Sequence, residues 1–205
     1  MILQFIFKAY GLTYNKFIEP LGYVIGRFYL YGSGISFGKK VRIYGLPTIS
    51  IFKDSVFIIG DNAVLRSKSR GNAIGVNHEI ILRTYAPTAR IIIGDNFGMS
   101  GGAICAVNKV EIGNNVLIGA NVVIADNDFH GICLASRKIQ ARLLPSKPIL
   151  IEDGVWLGAD VYVCKGVKIG KNSVIGAKSV VTKSIPENCI AVGVPAKVIG
   201  TIDNA

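Results

Sequence analysis

Aliphatic residues recur at every sixth position through much of this chain, and no other feature constrains its fold as strongly. The longest run in phase is Ile151, Leu157, Val163, Ile169, Ile175 and Val181. The same spacing upstream links Ile112, Ile118 and Ile124, then Ile93, Met99 and Cys105, with weaker matches from Ile59 and Ile74. An α-helix buries a residue about every 3.6 positions and a strand every second one, so a strict period of six indicates a different architecture.

Each six-residue unit is typical of a short β-strand that buries one aliphatic side chain and then turns at Gly, Asn or Asp. Three units make one triangular coil of about 18 residues, and coils stack by parallel hydrogen bonding about 4.8 Å apart. We therefore expect a mainly β prism of about six coils, about 30 Å long, with aliphatic ladders in its interior.

Composition sets broad limits on size and partners. The 205 residues suit one domain, and because half of them are hydrophobic the chain can bury a substantial core. The formal net charge is +10, from 23 basic and 13 acidic residues, which favours an anionic partner or serves only solubility. No nucleic-acid-binding motif accompanies this charge, so we expect no nucleic acid partner.

The cysteines and the apolar stretches bear on the compartment. Four cysteines are far apart, without a C-x-x-C pair, so we expect free thiols, no metal site and a reducing compartment. They are Cys105, Cys133, Cys164 and Cys189. We find no secretory signal, and the longest uncharged stretch, residues 112–125, is shorter than the about 18 residues of a membrane span. A cytoplasmic location is the expectation.

The ladder stops at His130, one of only two histidines, at the position where a buried aliphatic residue would follow Ile124. This histidine closes the segment VVIADNDFHG, and residues 131–150 are non-repetitive until Ile151 restarts the pattern. Long loops that interrupt a regular scaffold usually carry function. We therefore predict a functional loop over residues 126–150 with His130 at its mouth; the alternative is an ordinary solvated turn.

The segment IEDGVWLGADVYVCKGVKIGKNSVIGAKSVVTKSIPENCIAVGVPAKVIG, residues 151–200, resembles the C-terminal half of the hexapeptide-repeat acyltransferases. The resemblance covers residues 41–200 and is strongest to the sugar O-acetyltransferases of galactosides, maltose and capsular or exopolysaccharides. It implies a left-handed parallel β-helix, a homotrimer, and acetyl-CoA bound in grooves between neighbouring prisms. It also implies acetyl-CoA-dependent transfer to a hydroxyl of a sugar or polysaccharide precursor, with no metal.

The resemblance assigns His130 the role of catalytic base. A sugar hydroxyl must lose its proton as it attacks the thioester, and an imidazole can accept that proton near neutral pH. Asp126 or Asp128 would orient the ring or hold a sugar hydroxyl, or would serve only as turn residues.

On the acceptor side, we expect Ser100 and Asn127 to contact the sugar. Ser100 aligns approximately with an asparagine that lines the site of the galactoside enzyme. Ala106 stands where that enzyme has a carboxylate in contact with sugar, which puts its sugar specificity in doubt for this chain.

The cofactor is implied to lie along the C-terminal coils. Trp156, the only tryptophan, matches an aromatic residue beside the CoA groove, and packing at the trimer contact is an equal alternative. Backbone groups near Ala159 and Ala177 match positions that bond the pantetheine arm. The residues that match the nucleotide and phosphate end, where lysines suit phosphates, are Thr182, Lys183 and Lys197.

The N-terminus differs in composition from the repeats. Residues 1–45 carry six basic residues against one acid, interleaved with aromatics. We expect residues 1–40 to form a helical segment that caps the first coil or lies on a membrane surface, near a lipid-linked acceptor at the inner face. Residues 41–205 then form the β-helix domain, with a C-terminal tail over residues 187–205.

Other functions stay open at this point. An amino group, as in an amino sugar, or a serine is the second candidate acceptor, because the CoA-binding tail is shared in the family while the acceptor loop varies. A carbonic-anhydrase-like hydratase needs three histidine ligands, and the chain has only His78 and His130. A non-catalytic β-helix would bind no acetyl-CoA.

Overall fold

The computed structural model describes residues 19–70 and 72–202, with the side chains of the first helix from Val24 onward. Residues 1–18, which hold part of the basic and aromatic N-terminal segment, lie outside the described residues. The elements within them are α1 (Glu19–Gly32), β1 (Ser36–Phe37), β2 (Arg42–Tyr44), β3 (Thr48–Ser50), β4 (Val56–Ile59), β5 (Val64–Arg66), β6 (Ile81–Thr84), β7 (Arg90–Ile93), β8 (Gly98–Ser100), β9 (Ala103–Ala106), β10 (Lys109–Ile112), β11 (Leu117–Ala120), β12 (Val123–Ala125), β13 (Ile149–Ile151), β14 (Trp156–Leu157), β15 (Tyr162–Val163), β16 (Lys168–Ile169), β17 (Val174–Ile175), β18 (Val180–Val181), β19 (Cys189–Val192) and β20 (Lys197–Thr201).

The strands form three sheets that are the flat faces of a triangular prism. Sheet A holds β1, β4, β7, β10, β13 and β16; sheet C holds β3, β6, β9, β12, β15 and β18. Sheet B holds β2, β5, β8, β11, β14, β17, β19 and β20. Because the chain passes from A to B to C and back to A, three successive strands make one coil. This confirms the mainly β, left-handed parallel β-helix with a short N-terminal helix.

The aliphatic ladders fill the interior as the period of six predicts. Ile112, Ile118 and Ile124 are each at most 2% exposed, and the six ladder residues from Ile151 to Val181 have no exposed surface. Inward aliphatic residues of neighbouring coils therefore stack directly on one another, about 4.8 Å apart.

The third coil departs from the expected phase. Ile104, rather than Cys105, lies on the inner ladder, where it pairs in register with Leu82 and Ile124. Gly101 and Gly102, both with positive φ, shorten the preceding corner by one residue. Cys105 consequently lies on the outer side of sheet C.

The corner between sheets A and B is built from stacked asparagines. Asn62, Asn96 and Asn115 all have a φ between 56° and 59°, a left-handed conformation that asparagine tolerates. The amide nitrogen of Asn62 donates to the Asn96 oxygen at 3.0 Å, and that of Asn96 donates to Asn115 at 2.9 Å. This ladder of amides holds the corners of three coils in line.

Two insertions leave the coils at different corners. Residues 67–80 lie between sheets B and C, and residues 126–148 lie between sheets C and A. The repeat expected from Ile74 is wrong, because Ile74 falls in the first insertion and its side chain is 72% exposed. The second insertion is the predicted functional loop.

Both ends of the prism are covered. At the first coil, α1 buries Leu30 completely and places Gly26 against Ile43, where an added Cβ would come within 2.8 Å of the Ile43 Cβ. The opposite side of α1 exposes Phe28 and Tyr31. At the last coil, β20 runs antiparallel to β19. None of the helices in residues 19–70 and 72–202 has the length and apolarity that crossing a bilayer requires.

Candidate functional site

The functional loop begins directly after β12 with a buried carboxylate. Asp126 has no exposed surface, and its side chain accepts backbone N–H bonds from Val107 at 2.8 Å and from Asn108 at 2.7 Å. The amide nitrogen of Asn127 donates to the same carboxylate at 3.1 Å. Because Val107 and Asn108 form the corner of the preceding coil, Asp126 joins the loop to the prism.

The next turn presents the histidine. Phe129 has a φ of 60°, and the His130 N–H donates to the Asp128 carbonyl at 2.7 Å, which closes a three-residue turn around Phe129. This backbone conformation costs a bulky residue about 1–3 kcal/mol. The Phe129 ring offsets that strain by packing edge-on against Tyr85, with ring centroids 5.8 Å apart.

The ring of His130 is exposed, and one of its nitrogens is fixed by a main-chain carbonyl. Nδ1 lies 3.0 Å from the carbonyl oxygen of Arg137, in the same loop. A carbonyl can only accept, so in the neutral ring Nδ1 carries the hydrogen and Nε2 is the unprotonated acceptor. Gly131 permits this fold-back, because an added Cβ would clash with Ser136. The loop thus holds a histidine in the tautomer that a base requires.

The far end of the loop is tied to the fifth coil. Lys165 forms an ion pair with Asp128 and donates to the Pro145 carbonyl at 3.4 Å. The Lys147 N–H donates to the Asp126 carbonyl at 3.0 Å, and the Gly166 N–H donates to the Lys147 carbonyl at 3.1 Å. Both ends of the loop are therefore anchored, which restricts where His130 can lie.

The polar side chains that precede His130 form hydrogen bonds and an ion pair with groups other than its ring. Neither Asp126 nor Asp128 contacts the His130 ring, because Asp126 is occupied by backbone N–H groups and Asp128 by Lys165. Asn127 is only 3% exposed, and its oxygen accepts the Phe129 N–H at 2.8 Å. In this structure Asp126 and Asn127 form hydrogen bonds within the loop and to the preceding coil, and so shape the loop.

Ser100, the other residue expected to contact the sugar, lies on another face of the prism. Ser100 is half-buried at the end of β8 in sheet B, whereas His130 leaves the corner between sheets C and A. One chain therefore does not bring Ser100 and His130 together. Ala106 is fully buried at the end of β9, so this position offers no surface to a ligand.

An apolar stripe runs along the outer side of sheet B through Trp156. The strand register places Trp156 between Leu117 of β11 and Val174 of β17. Trp156 is 50% exposed and Leu117 is 55% exposed. Large exposed apolar side chains in a row indicate a surface that another molecule covers.

Beside this stripe, the corner between sheets B and C is narrow because it is lined by glycine. A Cβ at Gly119 would lie 2.7 Å from the Ala159 nitrogen, and one at Gly158 would lie 2.6 Å from the Ala177 nitrogen. In the described part of the chain, the N–H groups of Ala159 and Ala177 donate to no protein acceptor. Two unpaired backbone donors thus lie in line along this corner.

The predicted phosphate-binding residues are exposed around the last coil. Thr182 and Lys183 follow β18, and Lys197 begins β20. The Ala196 N–H donates to the Val180 carbonyl at 2.8 Å, which folds the tail back onto β18. The three residues therefore belong to the same end of the prism.

The four cysteines are free thiols in this structure. Cys105 and Cys189 are buried, and burial raises the pKa of the Cys105 thiol to about 11. Cys133 is exposed in the functional loop, where a hydrogen bond with Ser136 lowers the pKa of its thiol.

The two histidines do not form a shared metal site. His78 lies in the first insertion, with Nδ1 2.7 Å from the Glu79 carbonyl oxygen, at a different corner from His130. Over residues 19–70 and 72–202, no three His, Cys, Asp or Glu side chains are grouped as metal ligands would be.

Sequence reasoning did not identify Tyr85, Arg137 and Lys165, which support the histidine. Tyr85 and Lys165 reach the loop only because coils distant in sequence stack beside it. Arg137 acts through its main-chain carbonyl, which no residue type reveals. None of the three carried a signal in the repeat pattern.

Comparison with known proteins gives the same architecture. The family model for the bacterial transferase hexapeptide (six repeats) matches residues 148–183, and the model for the hexapeptide repeat of succinyl-transferase matches residues 109–134. Galactoside O-acetyltransferase of Escherichia coli (strain K12) is 46% identical over 158 residues, which cover 76% of this chain and 68% of the relative.

Two further matches agree. Galactoside O-acetyltransferase of Lactococcus lactis subsp. lactis (strain IL1403) is 37% identical over 147 residues, covering 72% of this chain and 64% of the relative, so the match spans less than two thirds of that protein. The solved structure of a galactoside acetyltransferase in complex with coenzyme A superposes with a TM-score of 0.54 at 26% identity, covering 90% of this chain and 82% of the other. With its stacked coils, its interrupting loop and these matches, this chain belongs to the hexapeptide-repeat transferase family.

Proposed function

We propose that this protein is an acetyl-CoA-dependent O-acetyltransferase that acts on a hydroxyl of a sugar or polysaccharide precursor. The similarity to two galactoside O-acetyltransferases supports the reaction class. The observation that carries the proposal is the exposed His130 ring, with Nδ1 hydrogen-bonded to the Arg137 carbonyl and Nε2 left as an acceptor.

His130 acts as a general base in this reaction. Nε2 takes the proton of the acceptor hydroxyl while the hydroxyl oxygen attacks the carbonyl carbon of the acetyl thioester. The tetrahedral intermediate then expels the thiolate of CoA, which takes the proton back from Nε2. Because attack is direct, no cysteine serves as a nucleophile.

The acetyl-CoA-binding surface is the stripe and glycine-lined corner of sheet B. The unpaired N–H groups of Ala159 and Ala177 suit the amide carbonyls of the pantetheine arm. Trp156 supplies apolar contact, and the exposed Lys183 and Lys197 with Thr182 lie at the end of the prism where the nucleotide phosphates would be held. No metal is required for this chemistry.

The active site is composite, formed in a homotrimer. Ser100 and His130 lie on different faces of one prism, so a shared site needs the His130 loop of one protomer against sheet B of its neighbour. Ser100 then contacts the acceptor, while Asp128 and Lys165 hold the loop. Sedimentation velocity tests the assembly: a trimer is expected, and a monomer that retains full activity would contradict it.

We place the enzyme in the cytoplasm, with the inner face of the membrane as the alternative. The exposed Phe28 and Tyr31 of α1 and the basic residues around the first coil support contact through residues 1–45. Co-sedimentation with anionic vesicles, compared between the wild type and a Phe28→Ser/Tyr31→Ser variant, decides between the two.

The decisive experiment measures release of free CoA thiol with a panel of sugars for the wild type and for His130→Ala. We expect kcat to fall by ~10²–10⁴-fold, with the assembly and the acetyl-CoA affinity unchanged. The matched control is His78→Ala, which removes the other exposed histidine and should leave turnover unchanged. Near-normal turnover by His130→Ala would contradict the role of base.

The acceptor panel also tests the second candidate reaction. The same base can serve an amino group, so amino sugars and serine are included beside neutral sugars. Faster turnover with an amine than with every hydroxyl acceptor would replace O-acetylation by N-acetylation and leave the role of His130 intact.

A further inference from the structure

Sheet B carries a second concave surface at its N-terminal end, away from Trp156. A cavity of about 570 Å³ opens there across β2, β5, β8 and β11. We call it the arginine cavity. The polar residues that line it are Arg42, Asn62, Arg66, Asn96, Ser100 and Asn115.

The arginine cavity is positively charged. Neither Arg42 nor Arg66 has a carboxylate within 4.0 Å in the described part of the chain. The guanidinium of Arg66 stacks on the Tyr44 ring, with its central carbon 4.3 Å from the ring centroid, which restrains its orientation. Two guanidinium groups with no internal counter-charge favour an anionic ligand.

Neighbouring acidic side chains face elsewhere. At the adjacent corner, Asp61 accepts the backbone N–H of Lys39 at 2.7 Å, and Asp95 accepts that of Asp61 at 2.7 Å. Neither carboxylate lines the cavity. Its charge is therefore not cancelled from within.

The floor of the cavity combines a gap with hydrogen-bonding groups. Gly98 leaves room on the outer side of β8, into which Leu117 leans, since a Cβ at Gly98 would lie 3.1 Å from the Leu117 Cδ1. The amide ladder ends at Asn115, whose amide nitrogen has no acceptor among the described residues. Ser100 adds a hydroxyl. An apolar floor edged by amides and a hydroxyl suits the alternating apolar and hydroxyl surfaces of a saccharide ring.

The cavity continues the surface proposed for acetyl-CoA. The strand register places Arg42, Val64, Gly98, Leu117 and Trp156 in one row across sheet B. A ligand in the arginine cavity therefore lies at the end of the row that continues to Trp156.

We propose that the arginine cavity binds an acidic saccharide, one that bears a phosphate or a carboxylate, and that this saccharide is the acceptor. Arg42 and Arg66 bind the anionic group, while Ser100 and the asparagine ladder bind sugar hydroxyls. The identification of the ligand as acceptor rests on the proposed function and on the neighbouring protomer supplying His130. Binding of the acidic saccharide in the arginine cavity rests on neither of these.

Titration calorimetry without acetyl-CoA tests the binding. The probes are glucose 1-phosphate, glucuronate, glucose and inorganic phosphate, with the wild type, an Arg42→Gln/Arg66→Gln variant and Arg90→Gln. Arg90 is the matched control, because it is an exposed strand arginine on sheet A that does not line the cavity. All three proteins should share the same Tm.

We expect glucose 1-phosphate to bind more tightly than glucuronate, because a dianion engages both guanidiniums, and glucose to bind weakest. The double variant should lose about tenfold or more in affinity for the phosphosugar, and Arg90→Gln should lose none. Tighter glucuronate binding would instead identify a carboxylate as the anionic group. Equal binding of glucose, no effect of the double variant, or inorganic phosphate binding as tightly as the phosphosugar would overturn the proposal.

Acetyl transfer separates this inference from the proposed function. If no acceptor is acetylated while glucose 1-phosphate binding still depends on the two arginines, the proposed function fails and the acidic saccharide site stands. If neutral and acidic saccharides are acetylated equally by the wild type and the double variant, the identification of the acidic saccharide as the acceptor is overturned and the proposed function stands.

Discussion

Replacing Asp126 by alanine removes the side chain that joins the functional loop to the preceding coil. The N–H groups of Val107 and Asn108 then lose acceptors that they now have at 2.8 and 2.7 Å. An unpaired buried donor costs about 1–3 kcal/mol, which applies in full to the buried Val107 N–H, whereas water can reach the N–H of the exposed Asn108. For a chain of this length, about 1 kcal/mol lowers Tm by about 2–4 °C, and we expect a fall of about 2 °C or more.

The assay follows thermal unfolding and thiol release together. Asp128→Asn is the comparison, because it breaks an exposed pair with Lys165 whose contribution should be about 1 kcal/mol or less. We expect Asp126→Ala to lower both Tm and kcat, since a loosened loop misplaces His130. An Asp126→Ala variant with unchanged Tm and a kcat as low as that of His130→Ala would refute the structural role and assign Asp126 to the chemistry.

Three further outcomes follow from the geometry. Iodoacetamide near neutral pH should label Cys133 first and leave Cys105 unlabelled in the folded protein, and peptide mass spectrometry measures the order of labelling. The reason is that the Cys133 thiol is exposed and its pKa is lowered, whereas burial raises the pKa of the Cys105 thiol to about 11. Gly119→Ala should destabilise the fold and weaken acetyl-CoA binding, because the added Cβ meets the Ala159 backbone. The control is Gly32→Ala, whose added Cβ meets nothing within 4 Å; in thermal-shift titrations it should leave stability and acetyl-CoA binding unchanged. Lys165→Met should lower kcat with little change in Tm, and a kcat equal to that of the wild type would show that this tether is dispensable.

The period of six predicted the prism because burial is set locally. Each inward residue, such as Leu157 or Ile175, must be apolar whatever the neighbouring coils contain, so the ladder is visible in one sequence. The phase at Ile104 was not predictable in the same way, since it depends on the backbone conformation of the preceding glycines. Ile74 matched the pattern by residue type alone, because it lies in a loop where its side chain is exposed and nothing requires it to be apolar.

For the candidate site, the sequence located His130 because a polar residue broke an apolar ladder. It could not tell which group fixes the ring, because that group is the main-chain carbonyl of Arg137, and every residue type carries a main-chain carbonyl. Asp126 looked like a partner by proximity in sequence, yet the short turn at Phe129 separates the two side chains. The arginine cavity was equally invisible, since Arg42 and Arg66 meet only when the first two coils stack.

The reversal of chain direction at β20 has a consequence for how copies of this protein can associate. A stack of parallel coils ends in strands whose unpaired N–H and C=O groups match those of another stack, so it is in principle a template for endless axial growth into a fibre. On sheet B an incoming coil meets an antiparallel strand, which interrupts the parallel stacking that joins one coil to the next, and at the opposite end it meets α1. Copies are thereby directed to associate side by side along their faces, which is the direction in which a composite active site can form.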